Sequence, residues 1–149
     1  MKSLRFEIQI MAKPSAVWLA LWEPNNYRVW TNVFMEGTYY KTDNFVEGAR
    51  IHFLTPEGHG MYGDITKIIP EKFVSFTNIG DIKETKELPP SQNQEGWVNA
   101  NESYLLTENE NGTHLLVEAD SISAYEEFMN RTFPFALIEI KKLAESISE

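Results

Sequence analysis

Residues 2–10 alternate strictly. Leu4, Phe6, Ile8 and Ile10 are apolar, while Arg5, Glu7 and Gln9 between them are polar. A period of two is that of a strand with one buried face. The pattern then becomes helical. Pro14 suits a first helical turn, where its missing N–H is not needed. Val17, Trp18, Leu21 and Trp22 follow at helical spacing, and Pro24 closes the run. A second short helix is expected over 25–30.

From residue 34 to residue 120 the pattern is that of strands separated by turns. Strands are expected over 34–40, 50–55, 60–69, 72–78, 97–108 and 113–120. Pro56-Glu57-Gly58-His59-Gly60 reads as a turn, since two glycines permit positive φ. Pro70-Glu71 is a second tight connection, and Asn111-Gly112 between two strand-like runs is a hairpin signal. Consecutive hairpins imply antiparallel order. Residues 79–96 are polar and carry Pro89-Pro90 followed by Ser91-Gln92-Asn93-Gln94. They read as one long loop inside a single sheet.

The last segment is an amphipathic helix. Ser123 and Glu126 have the spacing of a capping box. Tyr125, Phe128, Met129, Thr132, Phe133, Ala136, Ile140, Leu143 and Ile147 recur three and four apart, with charged residues mainly opposite. Pro134 removes the bond to the Asn130 carbonyl, so a kink is expected there. A long amphipathic helix after a run of strands must lie across the sheet to hide its stripe. The fold class expected is α+β, one domain over residues 1–149.

Composition narrows the partners. The 13 Lys and Arg against 22 Asp and Glu leave a net charge of −9. Such a field repels a phosphate backbone or an anionic membrane, so no nucleic acid and no membrane insertion are expected. No residue is a cysteine, which excludes disulfides, thiolate metal sites and a cysteine nucleophile. No apolar stretch approaches a membrane span, and residues 1–14 lack the apolar run of a signal peptide. A cytoplasmic location is the expectation.

Several stretches resemble the START-like (SRPBCC) superfamily, in particular the activator of Hsp90 ATPase homologue 1-like family. They are Pro14-Ser-Ala-Val-Trp-Leu-Ala-Leu21, Pro24-Asn-Asn-Tyr-Arg-Val-Trp30, Gly60-Met-Tyr-Gly-Asp-Ile65 and Ile69-Pro-Glu-Lys-Phe-Val-Ser-Phe76. Leu105-Leu-Thr-Glu108, Gly112-Thr-His-Leu-Leu-Val117 and the final helix complete the set, so nearly the whole chain is covered. The resemblance implies the helix-grip fold: a curved antiparallel sheet around a long C-terminal helix, with two short helices after the first strand. It also implies an apolar cavity between sheet and helix. Superfamily members bind lipids, sterols, hormones or polyketides, and a few are cyclases.

Candidate residues follow from both lines. Trp30, Phe34, Phe53, Tyr62, Trp97, Phe128 and Phe133 are aromatic and suit either a ligand cavity or a packed core. Met129 and Phe133 lie near Pro134, where a kink would widen the gap between helix and sheet; a soft Met suits an irregular wall. Glu102 shares strand parity with Val98, Ala100, Tyr104 and Leu106. With that face inward, its carboxyl enters the cavity and its pKa rises by desolvation. A one-residue bulge reverses the parity. The ligand-binding set is therefore Trp30, Phe53, Tyr62, Trp97, Glu102, Phe128, Met129 and Phe133.

His52, His59 and His114 show no metal-ligand spacing, and the serines lack a nucleophile motif, so no metal, no cofactor and no catalytic residue are assigned. Gly58–Gly63 lacks the Lys-Ser/Thr ending of a phosphate loop. The expected function is binding of a small hydrophobic molecule, by a monomer or homodimer. Two alternatives stand beside it: a cyclase-type enzyme using Glu102, and a chaperone-interacting module that docks a protein partner.

Overall fold

The structure is a computed structural model that describes residues 1–93 and 95–148. Gln94, within the expected 79–96 loop, and Glu149 lie outside the described residues. The strands are β1 (Lys2–Ile10), β2 (Tyr39–Lys41), β3 (Arg50–Leu54), β4 (Gly60–Ile69), β5 (Phe73–Lys83), β6 (Lys86–Glu87), β7 (Asn101–Asn109) and β8 (Gly112–Ser121). The helices are α1 (Pro14–Trp22), α2 (Pro24–Thr31) and α3 (Glu126–Ile147). Among the described residues these strands form one antiparallel sheet in the order β1-β8-β7-β5-β4-β3-β2, with β6 paired to the end of β5. The sheet curls, and its concave face receives the helices.

The alternation in β1 buries Leu4, Phe6 and Ile10 and exposes Arg5, Glu7 and Gln9. The Glu23 carboxylate, between α1 and α2, accepts from the Asn25 and Asn26 amides and caps α2. Helix α3 buries Thr132, Phe133, Ala136, Leu137, Ile140 and Ala144 and packs on β1, α1 and α2.

Four local expectations are corrected. Residues 34–38 are not a strand: the Phe34 amide donates to the Thr31 carbonyl and Gly37 takes φ of 82°, so the chain turns before β2. The polar stretch from residue 79 is not all loop. β5 continues to Lys83 and turns back as β6, with a register shift opposite Tyr62 and Gly63. Ile82 anchors the extension by packing with Leu54 and Tyr62 on the convex face. Residues 97–100 precede β7 as a turn in which Asn99 has φ of 69°. The capping box does not form: 123–125 is a short 3₁₀ turn, no side chain caps α3, and Glu126 instead faces Lys2.

Helix α3 runs unbroken through Pro134. Pro134 and Asn130 are both exposed, so water can satisfy the carbonyl that the proline leaves free.

Candidate functional site

Register places five residues in one row across the concave face. Leu4 pairs with Ala119, Ala119 with Glu102, Glu102 with Phe76, and Phe76 with Ile65. Four of the five are buried apolar side chains. Glu102 is the exception, in the middle of the row.

Beside this row the first turn of α3 stands off from the sheet and leaves a cavity of about 360 Å³. Ligand pockets begin near that size. The sheet supplies Phe53 from β3, Met61 and Gly63 from β4, Phe76 from β5, Glu102 from β7 and Ala119 from β8. Phe128 and Met129 of α3 form the opposite wall, and Ala100 lies at the start of β7. Gly63 is required for the shape, because a Cβ there would stand 2.1 Å from the Thr77 carbonyl oxygen.

The rim is polar and aromatic. The Trp97 indole N–H donates to Glu95 Oε2 at 3.1 Å, and the Tyr125 hydroxyl lies 3.4 Å from Glu95 Oε1. The Trp97 and Tyr125 rings are 5.7 Å apart. The segment carrying Glu95 and Trp97 is fastened by Asn93. Its Oδ1 accepts from the Gly96 and Trp97 amides, and its Nδ2 donates to Asp81. Asn78 donates to the Trp97 carbonyl, and Asp120 accepts from the Asn101 amide.

Glu102 is half-buried and lines the cavity. Burial raises its pKa above the usual carboxylate range; the Tyr104 hydroxyl, donating to Oε1 at 3.0 Å, partly opposes the rise. Burial, together with the nearby Glu102 charge, also raises both Tyr104 and Tyr27, so both remain phenols at ordinary pH. The arrangement can present a carboxyl group to a bound molecule inside an apolar enclosure.

Of the eight sequence candidates, Phe53, Trp97, Glu102, Phe128 and Met129 come together around the cavity. The other three lie elsewhere. Trp30, 2% exposed, donates its indole N–H to the Leu21 carbonyl and packs against Trp22, Tyr27 and Tyr104. Phe133, one turn beyond Met129, is 1% exposed and stacks on Phe6 at 4.7 Å. Tyr62 has the opposite parity to Met61 and Gly63, so it sits on the convex face and donates to the Leu88 carbonyl. Phe34 packs between Phe128 and Phe133. Sequence reasoning missed Met61, Phe76, Ala119, Tyr125 and Asp120. Cross-strand register brings Phe76 and Ala119 beside Glu102.

The histidines are apart: His52 meets Glu87, His114 meets Glu7, and His59 accepts from the Glu84 amide. Among the described residues no three His, Asp or Glu converge to hold a metal, and no helix is long and apolar enough to cross a membrane.

No family model matches the sequence, and no curated protein does. Solved structures do match. A protein from Mesorhizobium loti is 19% identical with a TM-score of 0.73, over 97% of this chain and 98% of that one. The Aha1 dimer from Colwellia psychrerythraea is 20% identical with a TM-score of 0.65, over 99% of this chain and 97% of that one. The fold is the helix-grip fold. It is also that of DynU16, a protein of the dynemicin biosynthetic locus, at 12% identity and a TM-score of 0.70. There the match spans 99% of this chain but 49% of that one. At these identities the likeness is one of helix-grip architecture, which hosts many functions.

Proposed function

We propose that this chain is a single START-like domain, related to the Aha1-like proteins, that binds a small and largely apolar molecule between its sheet and the first turn of α3. The observation that carries the reading is the cavity of about 360 Å³ walled by Phe53, Met61, Phe76, Phe128 and Met129. A core packed to ordinary density keeps few voids larger than a water molecule, so a space of this size with apolar walls suits a ligand. Burying the ligand's apolar surface supplies the affinity, at about 25 cal/mol per Å² before ordering costs. A cytoplasmic location fits this reading.

Native mass spectrometry of the purified protein, followed by a thermal-shift screen of lipids, sterols and polyphenols, tests it. A bound molecule or a saturable rise in Tm is expected, and Met129→Trp, which fills the space, is expected to abolish it. A screen without a hit, unchanged by Met129→Trp, overturns the reading.

Glu102 beside Tyr104 favours a second reading, in which the bound molecule is also turned over with the carboxyl as acid or base. Glu102→Gln would then stop turnover and spare binding.

A further inference from the structure

The charge of the cavity wall is one-sided. The charged residues that line it are Glu95, Glu102 and Asp120, and among the described residues no Lys, Arg or His lines it. Nor is any of the three in an ion pair among the described residues. Their hydrogen-bond donors are neutral: Trp97 and Tyr125 on Glu95, Tyr104 on Glu102, and the Asn101 amide on Asp120. Glu102 Oε1 is taken by Tyr104, while Oε2 has no partner among the described residues, and the residue lines the cavity.

Three carboxyl groups around one small apolar space impose a selection on what enters. A fatty acid or phosphate ester would place its anion beside these carboxyl groups, at a Coulomb cost that no nearby cation offsets. A wholly apolar molecule would leave Glu102 desolvated with half of its hydrogen-bonding capacity unused. A protonated amine satisfies the carboxylate and is attracted to the aromatic faces of Phe53, Phe76, Trp97 and Phe128. The overall charge of −9 adds long-range attraction for a cation.

We propose that the molecule bound in this cavity is an amphiphilic amine, with its aromatic or aliphatic body against the methionines and phenylalanines and its ammonium group on Glu102. This rests on the ligand-binding reading above. The amine docks intact, so no bond is made or broken.

The test is a charge-matched series on the full chain: naphthylethylamine, naphthylethanol and naphthylacetate, each titrated by calorimetry at neutral pH. The amine is expected to bind about tenfold tighter than the alcohol, and the carboxylate weaker than both. Glu102→Gln is expected to bring the amine down to the level of the alcohol. Asp120→Asn, at the rim, is expected to cost about threefold for the amine alone; it keeps the test open if the Glu102 variant does not fold. Equal binding of amine and alcohol, or tightest binding of the carboxylate, overturns this proposal and leaves the cavity reading standing. Binding of none of the three, with no hit in the wider screen, removes both.

Discussion

The Tyr104 hydroxyl donates to Glu102 two residues earlier on the same face of β7, at 3.0 Å, inside an otherwise apolar row. Strand geometry makes this pairing available, since residues two apart share a face. The hydroxyl is the only donor to the carboxyl among the described residues, so it sets how costly the buried acid is.

Tyr104→Phe keeps the ring and removes that donor. It should destabilise the fold by about 1 kcal/mol. It should also move the Glu102 titration further upward, because the bond now opposes burial. Urea denaturation and carboxyl NMR titration read the two effects separately.

Glu102 gives stability a pH dependence of definite sign. Its folded pKa is raised by burial, so the native state holds the proton at pH values where the unfolded chain has released it. Its contribution is full below the unfolded pKa and is lost as pH rises through the folded one. The Tm of Glu102→Gln minus that of the parent should therefore increase with pH across that window. A flat or falling difference would contradict the buried placement of the carboxyl.

Two α3 residues one turn apart should behave oppositely. Phe133→Ala opens a hole under Phe6 and Phe34 and should cost about 3–5 kcal/mol. Met129→Ala removes part of a cavity wall that is already half-open, so its cost should be clearly smaller while ligand affinity changes. Paired denaturation and binding measurements check this.

Legibility in the sequence was uneven, for physical reasons. β1, β4 and β8 carry uninterrupted patterns or firm turn residues at their ends, and their extents emerge within a residue or two. The second half of β5 does not, because Ile79 falls at a register shift that interrupts the alternation of the strand. Glu102 can be singled out because it interrupts an apolar strand face. Phe76 and Ala119 cannot, since nothing within their own strands marks them as its neighbours. Aromatic character alone does not separate Trp30 and Phe133, which fill the core, from Phe53 and Phe128, which line the cavity.

Gly63→Ala should destabilise by about 2–3 kcal/mol, since the new methyl collides with the Thr77 carbonyl across a central strand pair. Urea denaturation measures it. A ligand that contacts this wall should bind more weakly to whatever variant protein remains folded.

On the convex face, Glu87 of β6 holds both Arg50 and His52, at 2.7 and 2.8 Å. These are surface contacts, so Glu87→Ala should cost under about 1 kcal/mol overall. Local protection should fall more. Hydrogen exchange of the Leu88 amide, which donates to Asp81, should accelerate while that of Val117 in β8 does not.

The rim segment is tied down by the Asn93 side chain and by the Asn78 bond to the Trp97 carbonyl, whereas the walls belong to the sheet and α3. Release of those few bonds would let the segment move away from a molecule held inside without disturbing the walls, so its residence time becomes a matter of local opening and not of global unfolding.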